Sequence, residues 1–424
     1  MMWAVYGIGS RIARLFIGLI ARLGHEKAHR AVFGRHGWES RLTKAKEDAL
    51  QRGKTGTWIH VHCASLGEYE QAAPVIAELQ RAQPGRPILL TFFSPSGMEG
   101  VPDAGVDHVD YLPFDTPREA HQFARLLQPG DTLLVKYELW PHHLRALRQG
   151  GTRIHLIAAR FDAGRHPLNR WGGWMRRQLA QLDAIQVQDA ESQAVMAQWG
   201  LQSEITGDPR ADRVLQSLSD AIPPQVSGEL GRIAAWRGDR RMLIVGSAWE
   251  AEWQALTRLD LSTMSDWAVL VVPHDIRGPH VDRWCADPHV IRSSQVEEGP
   301  YPEGACLVLD RIGFLRHAYR LAHLAVVGGG WGSGVHNTLE PAAHGLAIAV
   351  GPRVEGFREI EGLQQAGALS VLATPQSLSD WLTVHLNSGG DSRLHEAGQH
   401  ALNWVSAHRG AASRIVAAWQ RHLD

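Results

Sequence analysis

Short runs of apolar, largely β-branched residues recur along this chain, separated by stretches whose apolar positions follow a helical spacing. That alternation predicts a parallel sheet assembled from repeated strand and helix units. A first series places strands at 57–62, 87–92, 107–112, 132–136, 153–158 and 184–188. A second series begins at Met242-Leu-Ile-Val-Gly-Ser247 and continues through 268–272, 306–309, 323–327 and 346–350. Between them, Ser217 to Gly228 is mostly polar and carries Pro223-Pro224, which puts a seam within 208–240. The fold class is therefore α/β, with two such domains in succession. On this reading the chain divides into an N-terminal segment 1–50, a first domain 51–215, a second domain 216–395, and a closing segment 396–424 read as one helix able to return to the first domain.

The N-terminal segment follows a different pattern. Val5, Ile8, Ile12, Leu15, Phe16, Leu19, Ile20 and Leu23 sweep one broad helical face, while Arg11, Arg14 and Arg22 fall with Gly7, Gly18 and Ala21 on the other. Arginines interrupt it too often for the roughly 18 consecutive apolar residues of a membrane span, and no small-residue cleavage site marks a signal peptide. Residues 1–54 carry eleven Lys/Arg against four Asp/Glu, and Trp3, Lys27, Arg30, Arg35 and Arg41 accompany the apolar face. This combination predicts an amphipathic helix docked on an anionic membrane surface, peripheral or monotopic. The competing reading is a helix that turns its apolar face onto its own domain.

At 424 residues and 44% hydrophobic content the chain has ample material for two cores, and a net charge of -1 supplies no field for nucleic acid. Cys63, Cys285 and Cys306 are too scattered for a disulfide framework or a cysteine-rich zinc site. Cys63 reads as a small buried residue at a strand end. His25-Glu-Lys-Ala-His29 matches the spacing of a zinc helix, but it follows the basic helix and lacks an evident third ligand, so no metal site is assigned.

Candidate chemistry collects at the carboxyl ends of the predicted strands, where open α/β sheets hold their ligands. The stretch Val326-Val-Gly-Gly-Gly-Trp-Gly-Ser-Gly-Val-His-Asn-Thr-Leu-Glu-Pro341 runs from a strand through a glycine turn into a helix expected to begin near His336. Gly329 and Gly330 let backbone approach a ligand, N–H groups at the helix start attract phosphate, and Glu340 suits a ribose diol. The spacing is neither a dinucleotide fingerprint nor a P-loop. Ser65-Leu-Gly-Glu68 sets a carboxylate on the first turn of a helix, placed either as a general base or as a plain cap. Lys136 and Glu138 end another strand and read as a charged pair; Arg210 occupies a linking loop where a cation can meet a phosphate; Pro273-His274 ends a strand of the second domain.

Taken together, His62-Cys-Ala-Ser-Leu-Gly-Glu68, Glu138-Leu-Trp-Pro141, Gly246-Ser247, Gly328-Gly-Gly with His336-Asn-Thr-Leu-Glu-Pro-Ala-Ala343, and Gly351-Pro352 resemble the Kdo (3-deoxy-D-manno-octulosonic acid) transferases of lipopolysaccharide synthesis. The resemblance runs from the N-terminal helix to about residue 365. It implies a GT-B architecture, two Rossmann-like domains with an interdomain cleft, beside a membrane-associated N-terminal helix at the cytoplasmic face of a bacterial inner membrane. It also implies an inverting displacement from CMP-Kdo to a lipid A precursor of the lipid IVA kind, with no cofactor besides the donor substrate. By motif, Glu68 matches the general base, with Ser65 and Gly67 beside it. Asn337, Thr338, Leu339 and Glu340, preceded by Gly329, Gly330 and His336, match the CMP-binding stretch. Pro273-His274 and Ile312-Gly313-Phe314 match two further CMP contacts, and Arg210 stands at a transition-state lysine.

Three positions depart from the family pattern. Lys136 replaces an acidic residue, His274 an arginine, and Phe314 a glutamate. If Lys136 pairs with Glu138, that glutamate carries the electrostatic role instead. The rival readings are a nucleotide-sugar epimerase of the same architecture and a non-catalytic membrane-docked scaffold.

Overall fold

The computed structural model describes residues 2–101, 105–162, 172–259, 265–296, 299–302, 306–387 and 391–423. It contains two compact units, one formed by Met1–Arg213 with Gly410–Asp424 and the other by Val214–Arg409. Each is built on a seven-stranded, all-parallel sheet.

In the first unit the strands are β1 (Ile59–Cys63), β2 (Ile88–Phe92), β3 (His108–Tyr111), β4 (Asp131–Val135), β5 (Arg153–Ala159), β6 (Ala184–Val187) and β7 (Glu204–Ile205), in the order β3-β2-β1-β4-β5-β6-β7. Every residue of β1, β2 and β4 is buried, as expected for strands covered by helices on both faces. The order reverses between β1 and β4. That switch opens a crevice at the carboxyl ends of these two strands.

The second unit repeats the plan with β8 (Arg241–Ala248), β9 (Trp267–Pro273), β10 (Val290–Arg292), β11 (Cys306–Val308), β12 (Leu324–Val327), β13 (Ala347–Val350) and β14 (Leu369–Val371), in the order β10-β11-β9-β8-β12-β13-β14. Here the switch lies between β8 and β12. The glycine-rich stretch that follows β12 thus leaves the sheet at the position where this topology gathers a ligand. β7, β10 and β14, absent from the sequence reading, are two- or three-residue strands near the sheet margins.

The closing segment is two helices and not one. Asp391–Ala407 belongs to the second unit, and Ala411–Gln420 belongs to the first, with Gly410 at φ 92° making the break. Asp212 accepts hydrogen bonds from the Gly410 and Ala412 N–H groups, which caps the last helix, and Trp419 is fully buried in the core around β1 and β4.

The N-terminal helix Met2–Arg22 is anchored by its small and polar side. Gly7 and Ala21 are buried, the Tyr6 hydroxyl donates to Asp115 at 2.6 Å, and Arg14 pairs with Glu119 at 2.7 Å. Trp3 packs edge-on to Trp174. Val5, Ile8, Ile12, Leu15, Phe16, Leu19 and Leu23 face outward, Leu15 at 73% exposure. A helix that merely finished its own domain would bury this face.

Candidate active site

In the first unit the crevice is formed by the turns after β1 and β4. Ser65 caps the helix Leu66–Ala82, and Glu68 at its third position completes a reciprocal capping box. One carboxylate oxygen of Glu68 accepts from the Ser65 N–H at 3.0 Å and from the Ser65 hydroxyl at 2.5 Å. The other lies 3.7 Å from the Lys136 ammonium. The same hydroxyl accepts from the Gly67 N–H. Capping and a poised carboxylate are therefore compatible: one oxygen closes the helix end and the other faces the crevice.

Lys136 reaches this position through a left-handed backbone, φ 62°. For a residue with a Cβ this costs roughly 1–2 kcal/mol, which the sheet sustains through the Lys136 N–H bond to Ile157 O at 3.0 Å. The sequence reading paired Lys136 with Glu138. The structure corrects it, because the turn sends the two side chains to different partners: Lys136 meets Glu68, while Glu138 accepts from the Trp140 indole N–H at 3.1 Å.

Beneath Glu138 lies a chain of buried polar groups that no spacing along the chain connects. An indole nitrogen can only donate, so the 3.1 Å contact from Trp140 Nε1 makes His62 Nε2 an acceptor and puts the ring proton on Nδ1. His62 Nδ1–H then donates to Thr91 Oγ1 (2.9 Å), Thr91 donates to His60 Nε2 (2.8 Å), and His60 Nδ1–H points to Thr132 Oγ1 (3.3 Å). Burial, followed by the neighbouring His62 and His143, holds the His60 imidazole well below the usual histidine range. Trp140 also stacks on Phe93 with ring centroids 4.6 Å apart. Cys63 is fully buried, and burial, with Glu68 and Glu138 nearby, pushes its thiol far up, so it is a packed side chain.

Arg210 opens the helix Arg210–Ser217 and is drawn back onto Asp208, its guanidinium 2.6 Å from the carboxylate. It is not gathered with Glu68 by a described contact. Arg213, one turn on, pairs with Glu70 at 3.2 Å, which ties this helix to the start of Leu66–Ala82. In the zinc-like pattern, the His25 ring accepts from the Ala28 N–H as a helix cap, Glu26 pairs with Arg30, and His29 stacks on Phe33.

The second unit arranges its candidate residues around the ends of β8, β9 and β12. Gly330 passes Gly351 so closely that an added Cβ would lie 2.5 Å from the Gly351 nitrogen. Only glycine fits there. The Gly330→Ala variant is expected to lose about 1–3 kcal/mol of stability from this backbone collision. Urea unfolding of the full chain checks it, and a loss below 0.5 kcal/mol (~) would mean that the loop has room to move aside.

Glu252, missed in the sequence, is the buried anchor of this loop. It is fully buried, accepts from the Trp249 N–H and the Gly329 N–H at 2.9 Å each, and so spans the starts of the helix Glu250–Leu256 and the glycine turn. Burial raises its pKa, and the backbone N–H groups of Glu252 itself, Trp249 and Gly329 oppose that rise. The Gly329 N–H is consequently spent on the protein itself. Its signal in the sequence was the three-residue spacing from Trp249 to Glu252 just after β8, the same spacing as Ser65 to Glu68.

The helix expected near His336 is shorter than its sequence suggests, running only from Leu339 to Ala343. Asn337 accepts from the Leu339 N–H at 3.0 Å and Thr338 is fully buried as N-cap, so Asn337 and Thr338 shape the turn. A five-residue helix also contributes little dipole. His336 instead joins an aromatic row. Its ring stacks on His274 at 4.3 Å, and His274 stacks on Trp249 at 4.6 Å. Burial and then His274 lower the His336 pKa. Pro273 closes β9, and His274 N–H bonds to Ala248 O, which brings the ends of β8 and β9 together. Ile312 is exposed, Gly313 turns at φ 90°, and Phe314 caps a short helix whose Leu315 and nearby Tyr319 hydroxyl pack against Gly246. Glu340 lies within electrostatic reach of Tyr319, whose ionisation burial chiefly opposes. The structure thus clusters Pro273, His274, Gly329, Gly330 and His336–Glu340 at one end of the second sheet.

Comparison with known proteins fits this geometry. A family model described as 3-deoxy-D-manno-octulosonic-acid transferase (kdotransferase) matches residues 36–213. The 3-deoxy-D-manno-octulosonic acid transferase of Bordetella pertussis is 28% identical over 383 residues, covering 86% of this chain and 87% of its own length. The enzyme of the same name from Haemophilus influenzae is 26% identical over 386 residues, with 86% and 87% covered. Among solved structures, a glycosyltransferase from Rickettsia africae superposes with a TM-score of 0.60 at 9% identity, covering 87% of this chain and 99% of its own. At that identity the likeness speaks for the GT-B fold alone. The matched family and both relatives are transferases, which does not favour the epimerase reading.

Proposed function

From its similarity to the Kdo transferases, we propose that this chain is a glycosyltransferase of that family, that its donor is CMP-Kdo, its acceptor a lipid A precursor of the lipid IVA kind, and its reaction an inverting displacement. The observation that carries the mechanism is the Glu68 carboxylate, fixed through one oxygen by Ser65 with the other beside Lys136. Glu68 takes the proton of a primary hydroxyl on the acceptor. The new C–O bond forms at the ketosidic carbon while the bond to the CMP phosphate oxygen breaks, and CMP leaves with the electron pair.

In this reading Lys136 holds Glu68 in place and faces the carboxylate of the sugar. Arg210 leaves Asp208 to meet the departing phosphate. Glu340 takes the ribose hydroxyls, and the His274–His336 pair borders the nucleotide where family relatives use arginine. The reaction is proposed to need no resident cofactor, since the donor's own carboxylate lies beside the carbon that gains positive charge and side-chain cations can accept the phosphate. The outward apolar face of the N-terminal helix supports docking on the cytoplasmic leaflet of a bacterial inner membrane. Tyr6 and Arg14, anchored eight residues apart, favour a helix lying in the interface over one that crosses it.

CMP is expected to stabilise the protein by about 2.7 kcal/mol at a hundredfold excess over its Kd, an upward shift of several degrees in melting temperature, with UDP giving no shift. Equal stabilisation by UDP would favour the epimerase reading. Stabilisation by CMP without Kdo transfer to a tetraacylated disaccharide would favour the scaffold.

A further inference from the structure

The arginines beside the N-terminal helix have no task in the chemistry above. They line a groove of about 990 Å³ between that helix and the segments around Phe33 and Pro117. Glu68, Lys136 and Glu138 are not among the residues that line it. Two of its arginines are satisfied by the protein: Arg14 pairs with Glu119, and the Arg35 guanidinium is held by the carbonyls of Ala31, Phe93 and Leu112. Arg11, Arg22 and Arg118 make no ion pair with any described residue, and besides Glu119 the lining contains a single further acid, Glu39. The lining therefore carries an excess of positive charge that an anion would balance.

Its other wall is apolar. Leu15, Leu19 and Phe33 line the groove and are 73%, 54% and 44% exposed, and the two leucines belong to the outward face of the helix. A purely hydrophobic surface would ask only for hydrocarbon, and a purely cationic one only for a soluble anion. The two walls together ask for an amphiphile whose negative head and apolar tail lie within one molecule's length.

We propose that this groove holds one phosphorylated membrane lipid, its phosphate beside Arg11 and Arg118 and an acyl chain against Leu15, Leu19 and Phe33. The inference rests on the reading that the N-terminal helix docks on a membrane, and it adds to that reading a discrete lipid site that selects an anionic headgroup. Such a lipid would fix the depth and rotation of the first unit at the bilayer surface.

The test uses the full chain in mild detergent and on vesicles. Native mass spectrometry after incubation with phosphatidylglycerol is expected to retain one lipid per chain, at least tenfold preferred over phosphatidylcholine. The double variant Arg11→Gln/Arg118→Gln should lose that preference, and Leu19→Trp should block the site by filling it. Both variants should still float with pure phosphatidylcholine vesicles through the outward apolar face. A phosphatidylglycerol adduct unchanged in both variants would overturn the groove while leaving membrane docking intact. Wild-type protein that floats with neither neutral nor anionic vesicles would overturn the docking reading itself, and this site with it. Binding of inorganic phosphate to the arginines, with no lipid retained, would mark a soluble-anion site and also overturn the proposal.

Discussion

Replacing Glu68 by glutamine is expected to lower Kdo transfer by a factor of about 10²–10⁴ while the protein keeps its fold and its response to CMP. The separation follows from how the side chain is used. A glutamine at the third position of a helix is a legitimate capping-box partner, so its carbonyl oxygen can still accept from Ser65 N–H, at a cost of about 1 kcal/mol or less. Its amide has no basic site for the acceptor's proton. Lys136 loses an anionic partner but remains partly exposed to water, which limits the cost of leaving it unpaired. The nucleotide candidates belong to the other unit, so CMP-induced stabilisation should be unchanged. The measurement is a transfer assay with CMP-Kdo and a tetraacylated acceptor, beside thermal melts with and without CMP. Turnover within tenfold of wild type would remove Glu68 from the role of base. A coincident loss of melting temperature would show that the carboxylate acts mainly as a cap.

The alternation of apolar runs made the central strands legible, because a strand buried on both faces leaves an unbroken β-branched signature such as Met242-Leu-Ile-Val. The short edge strands β7, β10 and β14 left no such trace: Glu204-Ile205 is exposed at both positions and pairs on one side only. The division of the terminal segment was masked because helical spacing continues on both sides of Gly410, and only the left-handed turn there and the capping by Asp212 separate the helices. At the site, local chemistry was readable where the spacing itself encodes a hydrogen bond, as in Ser65 to Glu68. Partners set by tertiary geometry were not. Lys136 and Glu138 are two residues apart, and sequence proximity favoured their pairing, yet a positive φ at Lys136 turns one toward Glu68 and the other toward Trp140. Glu252 was overlooked for a related reason, since its second partner, the Gly329 amide, lies 77 residues away.

The strand that delivers Lys136 begins with the residue whose loss should damage the first unit most. Asp131 has no exposed side-chain surface, and its carboxylate accepts from Arg86 at 2.6 Å and from Arg153 at 2.8 and 3.1 Å. Asp131→Asn keeps the shape and removes the charge, leaving the mostly buried Arg86 guanidinium without its counter-ion. Breaking a buried pair in this way costs about 3–5 kcal/mol, and the partial exposure of Arg153 puts the expected loss near the lower end. Burial alone would raise the Asp131 pKa, but the His155 ring 3.7 Å away and the hydrogen bonds from Arg153 and Arg86 outweigh it and hold the carboxyl well below the usual aspartate range. Its contribution is therefore present above the unfolded value near 3.8 and is lost as pH falls from there through the folded value. Unfolding curves of wild type and Asp131→Asn should differ by a constant amount from pH 7 to about 5 and converge below about pH 4. A gap that stayed constant down to pH 3 would mean that the variant loses packing and not charge. Since Asp131 opens β4 at the end away from Lys136, CMP-independent stability should fall while the turnover of whatever protein remains folded is retained. This is the reverse of the outcome expected for Glu68→Gln, so the two substitutions separate what holds the strand from what the strand presents.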